Sequence, residues 1–294
     1  MVAEVVRCLR PVPGDLVVDC TIGGGGHAIA LLERIRPGGR LIGLDVDPIE
    51  LRRTEARLLA AGVEPDAFEI VHANFGELDE VLARRGVTGA DVVLADLGVS
   101  SMQHDTPARG FSYKHPGPLD LRMDQTAGMP AWQHLATMEA AAIAHVLVEH
   151  ADEPCADIIA GIIATHRPPT THALERLIRQ GLNAAMPALG KAQVKMSVRR
   201  TFQALRILVN DEFASLDALL RNLPACLRPG GRVACLTFHS GEDRRVKKAF
   251  AAGRRAGVYD AVSRSVVRSA KAETFSNRRA AAAKLRWAVR SRAV

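Results

Sequence analysis

Three acidic residues, each closing a short apolar run, are the best placed in this sequence to do chemistry. Asp19 ends Leu16-Val-Val-Asp19, Asp45 ends Arg40-Leu-Ile-Gly-Leu-Asp45, and Asp96 ends Asp91-Val-Val-Leu-Ala-Asp96. Asp19 also opens Asp19-Cys-Thr-Ile-Gly23-Gly-Gly25-Gly26-His27, a glycine-rich stretch between a strand and a helix. Glycines there let backbone N–H groups approach a ligand closely and tolerate positive φ. Asp45 lies 20 residues beyond Gly25, where a carboxylate can hydrogen-bond both ribose hydroxyls of an adenosine. Gly23-x-Gly25-x-x-Ala28 satisfies the dinucleotide pattern as well, so spacing alone leaves two ligand classes open. Asp19 weighs between them. A carboxylate directly before the loop repels a pyrophosphate and suits the ammonium and sulfonium of S-adenosylmethionine. The plain alternatives are a tight turn with no ligand and Asp45 as a helix cap, a role for which Asp47 competes better.

Asp96 stands where open α/β sheets carry their chemistry, at the carboxyl end of a strand and before Leu97-Gly-Val-Ser-Ser101. Methyl transfer from a sulfonium is an in-line displacement in which the nucleophile is held about 3 Å from the methyl carbon. An exocyclic cytosine amine is a poor nucleophile, because its lone pair is conjugated with the ring. A carboxylate accepting one of its N–H groups favours pyramidalisation and then takes up the proton. Asp96 suits that catalytic role; a hydrogen bond to the cofactor, or a structural carboxylate, are its competing roles.

These residues need a scaffold, and the pattern around them supplies one. Apolar runs at Leu16–Asp19, Arg40–Leu44, Phe68–His72 and Asp91–Ala95 alternate with helical stretches at His27–Arg36, Pro48–Ala61 and Glu77–Arg85. That alternation predicts a parallel, doubly wound α/β sheet. Residues 1–13 read as the opening of a helix. From Ser101 to Gly190 no strand is expected; helices are predicted at Ala131–Glu149, Cys155–Thr165 and Thr171–Ala185. A helix over Ser197–Leu223, a turn at Leu227–Gly231 and a fifth strand at Arg232–Phe238 follow. A helix at Gly241–Ala252 and candidate strands at Gly257–Val267 and Ala283–Val289 complete the pattern. The expected division is a core over 1–104, an inserted helical substrate subdomain over 105–190, and the rest of the core with a basic tail over 191–294.

Composition sets the bounds. The chain has 294 residues, of which 48% are hydrophobic, enough for a substantial core. Five cysteines, widely spaced and without a C-x-x-C pair, argue against a disulfide framework or a zinc site and for a reducing cytosol. No metal-ligand spacing is visible. No apolar run approaches a membrane span, and the first residues lack a signal-peptide core. Residues 241–294 hold 15 Lys or Arg against 4 Asp or Glu, a balance of +11 where the whole chain carries +7. A basic tail on a mildly acidic body is the footprint of a polyanion-binding surface, with a solvated basic face as the alternative. Aromatics at 4% argue against extensive base stacking.

Longer blocks carry a resemblance. Asp96-Leu-Gly-Val-Ser-Ser101, Arg109-Gly-Phe-Ser-Tyr113 and Gly117-Pro-Leu-Asp-Leu-Arg-Met-Asp124 resemble the bacterial 16S rRNA cytosine-N4 methyltransferase family, RsmH, also called MraW. So do Arg200-Thr-Phe-Gln-Ala-Leu-Arg-Ile-Leu-Val-Asn210, Leu227-Arg-Pro-Gly-Gly231, Phe238-His-Ser240 with Glu242-Asp-Arg244, and Ala283-Lys-Leu-Arg286. The likeness runs in order along the whole chain. It implies a class I S-adenosylmethionine-dependent methyltransferase core, Rossmann-like and doubly wound, with an inserted helical subdomain. It implies a cytoplasmic enzyme acting on a decoding-centre cytidine of 16S rRNA in the small ribosomal subunit, with monomer and homodimer both open.

By the same resemblance the cofactor contacts fall on Gly25, Gly26, His27, Asp45, Phe75, Asp96 and Gln103, beside Asp19 and Gly23 of the loop. Phe75 reads equally as a core aromatic. Arg109 and Arg122 lie in a loop with Asp120 and Asp124, either as a charged lid or as a mutual ion-pair cluster. His239 and Ser240 end the fifth strand, where a structural histidine is the alternative to a contact with base or phosphate. Arg199, Arg200, Arg206, Arg244 and Arg245 are candidate phosphate contacts. The sequence departs from the family in several places. The family's amino-terminal segment with a His and Pro-Val-Leu has no counterpart, so a start upstream of Met1 or a missing part of the cofactor cover is expected. Gly241 stands for a Leu, Met102 and His104 flank Gln103, Glu149–Pro154 replaces a Tyr-Gly-Glu-Glu-type stretch, and the tail motif is loosened to Asn277-Arg-Arg-Ala280. These departures bear on RNA target more than on cofactor. The rivals are a methyltransferase of the same fold acting on another RNA, a protein or a small molecule, a dinucleotide-dependent oxidoreductase, and a non-catalytic RNA-binding assembly factor.

Overall fold

The structure is a computed structural model; it describes residues 1–270, 273, 275 and 278–293. The chain divides into two compact units, Met1–Gly98 with Phe213–Val294, and Val99–Glu212. The expected subdomain of 105–190 lies inside the second unit. That unit begins at Val99 and extends beyond residue 190, because the helix that follows buries Val194, Val198, Phe202 and Leu205 in its core.

In the first unit, α1 (Val2–Leu9) precedes the alternating series β1 (Leu16–Asp19), α2 (Gly26–Ile35), β2 (Arg40–Asp45), α3 (Pro48–Ala60), β3 (Phe68–His72), α4 (Leu78–Ala83) and β4 (Ala90–Asp96). Its strands match the sequence reading to within a residue or two. Asp47, and not Asp45, caps α3: its side chain accepts from Ile49 N and Glu50 N, and Pro48 begins the helix.

The second unit is helical: α5 (Ser101–Asp105), α6 (Ala131–Thr137), α7 (Ala140–Ala151), α8 (Ala156–His166), α9 (Thr171–Ala185) and α10 (Lys191–Asn210). Here the expected boundaries shift. The single helix over Ala131–Glu149 is two, because Met138 and Glu139 are both extended. The helix expected over Ser197–Leu223 begins earlier and breaks at Asp211, which is left-handed at φ 47°. Alanine-rich composition runs through the first break, and apolar residues continue on both sides of the second, so periodicity does not mark them. Leu119, Leu135, Ile143, Leu147, Ile159 and Ile178 are fully buried at the centre of this unit.

The chain re-enters the first unit along α11 (Glu212–Cys226), followed by β5 (Leu227–Thr237), α12 (Ser240–Arg255), β6 (Tyr259–Val262) and β7 (Lys284–Arg290). The turn expected at Leu227–Gly231 is absorbed into β5 as an irregularity. Ala90 pairs with Leu227 and Val92 already with Arg232, so the intervening Pro-Gly-Gly bulges, with Gly230 at φ 78°. Of the candidate strand Gly257–Val267 only Tyr259–Val262 forms, with Val267 in an isolated bridge to Leu285. Among the described residues the sheet has seven strands in the order β3-β2-β1-β4-β5-β7-β6, β7 running antiparallel to both neighbours. β1 to β5 are parallel, with a reversal of strand order beside β1, and α/β sheets hold their ligands at such a switch point. The basic tail motif falls partly at Asn277, outside the described residues. Among the described residues, no helix is long and apolar enough to cross a membrane.

Candidate active site

Register brings the three acidic residues to one edge of the sheet. Asp19 lies between Gly43 of β2 and Leu94 of β4, and Asp45 and Asp96 each lie two residues further along those neighbouring strands. The glycine loop leaves β1 beside them. Gly23 and Gly25 take positive φ, 45° and 74°, and a Cβ on Gly25 would meet Thr54 Cγ2 at 2.9 Å. A Cβ on Gly26, by contrast, would meet nothing within 4 Å. The loop is braced from α3: Thr54 Oγ1 donates to Gly23 O, and Arg57 Nη1 to Gly24 O at 2.7 Å. Asp45 ties the two halves, its Oδ2 accepting from Gly23 N and its Oδ1 from Asp47 N, both at 2.9 Å. Each of those oxygens keeps a further lone pair, the requirement for receiving a ribose hydroxyl.

Satisfaction stops at the centre. Asp19 Oδ1 accepts from Thr21 N at 3.2 Å, but among the described residues its buried Oδ2 has no hydrogen-bond partner. Asp96 places Oδ2 3.4 Å from His27 Nδ1, while Asp96 Oδ1 and His27 Nε2 are buried without partners among the same residues. Buried polar atoms in this state are rare and expensive. Burial, reinforced by Asp96 and Asp45, pushes the Asp19 carboxyl up to about 7. Burial likewise lifts Asp96 to about 7, with Glu242 adding to the rise, and Asp45 to about 6. Burial lowers His27 to about 4, so its imidazole is neutral at pH 7. Keeping Asp19 ionised at neutral pH costs about 4 kcal/mol relative to water. A cationic ligand offsets that cost; a diphosphate adds to it. The orphaned acceptors, the open space at Gly26 and the neutral imidazole fit S-adenosylmethionine, and the carboxylates disfavour a dinucleotide.

Asn74 caps the short turn after β3, accepting from Gly76 N at 2.8 Å and donating to Ser215 Oγ at 3.0 Å. Phe75 follows it, half-buried against the sheet core, consistent with the core-aromatic reading. At the end of β5, the buried Glu242 accepts from Phe238 N at 2.8 Å and approaches His239 Nε2 at 3.2 Å. The Phe213 ring lies 5.8 Å from the His239 ring, and Arg245 stacks on Phe213 at 3.6 Å. Gly241 makes room for this packing: a Cβ would meet Phe213 Cζ at 2.6 Å, so a larger side chain here requires the Phe213 ring to move. Ser240 and Arg244 are exposed at the start of α12.

The remaining expected contacts lie in the helical unit and are largely engaged there. Gln103 is buried, its Oε1 accepting from Ser100 N as half of a capping box that starts α5. Arg109 is buried too, and its Nη2 donates to the carbonyls of Arg122 and Met123. Arg122 grips Asp120 with two parallel bonds of 2.8 and 2.9 Å, the ion-pair alternative of the sequence reading. Arg206 makes the same fork with Glu212, at 2.7 and 2.8 Å. Arg200 stands 3.9 Å from the buried Glu153, whereas Arg199 is exposed.

Sequence reasoning passed over several supports. Thr21 Oγ1 accepts from Asp96 N at 2.7 Å, locking the loop to β4. Thr54 and Arg57 brace the loop as described, and Glu242 organises the start of α12. The available signal was weak: a threonine on the apolar stripe of α3, and a glutamate three residues after His239, a capping spacing.

The MraW methylase family matches residues 1–291. Among the curated relatives is Ribosomal RNA small subunit methyltransferase H 1 of Agathobacter rectalis, 44% identical over 99% of this chain and 84% of its own length. Ribosomal RNA small subunit methyltransferase H 2 of Alkaliphilus metalliredigens is 42% identical over 99% and 84%. The methyltransferase H of Symbiobacterium thermophilum is 40% identical over 100% and 96%. With the strand order, the glycine loop and the match over nearly every residue pointing the same way, this chain belongs to the MraW methylase family.

Proposed function

We propose that this chain transfers a methyl group from S-adenosylmethionine to the exocyclic N4 of a decoding-centre cytidine in 16S rRNA. The coarser part rests on the family: the chain is an S-adenosylmethionine-dependent rRNA methyltransferase. One observation carries the finer part, the buried Asp96 Oδ1 left without a partner at the strand end next to an acidic donor pocket. When bound, the donor supplies an electrophilic methyl group on a sulfonium. Asp19 faces the cationic methionine end, Asp45 receives the ribose hydroxyls, and Gly23, Gly25, Gly26, His27 and Phe75 complete the first unit's cofactor set, while Gln103 starts α5 in the second unit. The neutral imidazole of His27 adds no positive charge beside the sulfonium.

Asp96 Oδ1 accepts one N–H of the amine and turns its lone pair toward the methyl carbon. After transfer the same oxygen takes the proton, and a pKa of about 7 suits a base working near neutral pH. His239, Ser240, Arg199, Arg200 and Arg244 are assigned to the RNA. Arg109, Arg122 and Arg206 are assigned to shaping the loops that receive it, because their guanidinium groups are engaged within the protein. This reading places the protein in the cytoplasm, with the small ribosomal subunit as its partner.

The test is mass mapping of nucleosides after incubating purified protein and donor with small ribosomal subunits that lack the modification. N4-methylcytidine at one site is expected. Another methylated nucleoside would refute the N4 assignment, and no methylation alongside RNA binding would favour an assembly factor.

A further inference from the structure

We propose that the outer face of α12 is the track along which the first unit holds the sugar–phosphate backbone of its substrate RNA. This rests on the rRNA reading above and deepens it. α12 sorts its residues by face: Glu242, Val246 and Phe250 are buried, while Arg244, Lys247, Lys248, Arg254 and Arg255 are exposed. The exposed five recur at helical spacing, so they form one stripe rather than a scattered charge. From Arg244 to Arg255 the stripe runs about 16 Å, enough to meet several phosphates. It starts beside His239 and Ser240, on the strand next to the one that ends in Asp96.

Folding does not account for the two lysines and the last arginine of the stripe. Asp243, the acidic residue nearest in sequence, is turned to Arg286 at 2.7 Å and Lys284 at 3.4 Å. Arg254 donates to Tyr259 O and, with Arg255, favours the helix dipole at its carboxyl end. Lys247 and Lys248 gain nothing from that end, and like charges at spacings of three and four residues disfavour the helix. Among the described residues, Lys247, Lys248 and Arg255 are exposed and form no salt bridge. Since the first 240 residues are net acidic, this face is a local feature and not a sample of overall charge. A phosphate backbone is the complementary occupant.

The full chain with Lys247→Ala, Lys248→Ala and Arg255→Ala is compared with a charge-matched variant, Arg34→Ala, Arg52→Ala and Arg53→Ala, on other exposed helix positions. Methyl transfer to small ribosomal subunits and binding to a 16S rRNA transcript are followed across salt. The stripe variant should raise KM for RNA about 10- to 100-fold, and reduce the log–log salt slope by about 2. Its kcat at saturating RNA and its affinity for the methyl donor should match wild type. Lys247→Arg with Lys248→Arg should keep KM within about twofold, since phosphate accepts either cation. Equal KM and slope in the stripe and matched variants would overturn the proposal. So would a loss confined to poly-glutamate, which would assign the face to an acidic protein. Absence of salt-dependent RNA binding by wild type would bring down the rRNA reading itself, and the stripe with it.

Discussion

At the strand ends of the first unit, Asp19, Asp96 and His27 each keep a buried polar atom without a hydrogen-bond partner among the described residues. In the second unit, Asp120 is buried as well yet accepts four bonds, from Arg122 N, Nε and Nη2 and from Gln125. The consequences are opposite. Burial lifts Asp19 and Asp96 to about 7, whereas at Asp120 the bonds from Arg122 outweigh burial and lower its pKa. Charged residues that satisfy one another hold a loop; charged residues left wanting hold a ligand. This criterion favours the strand ends as the proposed site and the Arg122–Asp120 pair as scaffold.

Substitutions can break that comparison. The largest effect is expected at Asp96→Asn, which keeps the shape and removes the proton acceptor. Turnover should fall about 10²- to 10⁴-fold, with donor affinity nearly unchanged in calorimetry and thermal stability not reduced. Next is the pH dependence. Asp19 holds its proton up to about 7 in the fold, against 3.8 for an ordinary aspartate. Its contribution to stability is therefore complete below the lower value and lost as pH rises through the upper one. His27, shifted the other way, cancels when Asp19→Asn is compared with wild type. Without donor, the variant should gain on wild type as pH rises from 4 to 8, by about 3 kcal/mol in urea titrations. A pH-independent difference would mean that Asp19 is already paired.

The scaffold side should respond in reverse. Asp120→Ala leaves Arg122 without its carboxylate and should cost about 2 kcal/mol of stability, seen as a lower denaturant midpoint. Its effect on KM for the donor should be small. The smallest effect is expected at Gly26→Ala. A Cβ has space there, so stability should stay within about 0.5 kcal/mol of wild type. If the donor lies against that glycine, its affinity should still drop several-fold.

The legible part of this molecule was the part with strong periodicity. Four parallel strands follow from short apolar runs, three of them ending in Asp, and α9 matches its expected range Thr171–Ala185 to the residue. What was hidden depends on contacts distant in sequence. Nothing local says that Arg109 will be buried against the carbonyls of Arg122 and Met123, or that Gly241 makes room for Phe213. The helix breaks at Met138 and Asp211 were hidden for a different reason. A left-handed aspartate or a pair of extended residues interrupts hydrogen bonding without interrupting composition.

The most direct test sets binding against turnover at Asp96. Wild type and Asp96→Asn are each loaded with methyl-labelled S-adenosylmethionine and given unmodified small ribosomal subunits, and both donor retention and label in the RNA are measured. The expected result is equal retention, with label reaching cytidine N4 only from wild type. Transfer at the wild-type rate by Asp96→Asn, or loss of donor binding without a separate loss of transfer, would contradict a catalytic Asp96.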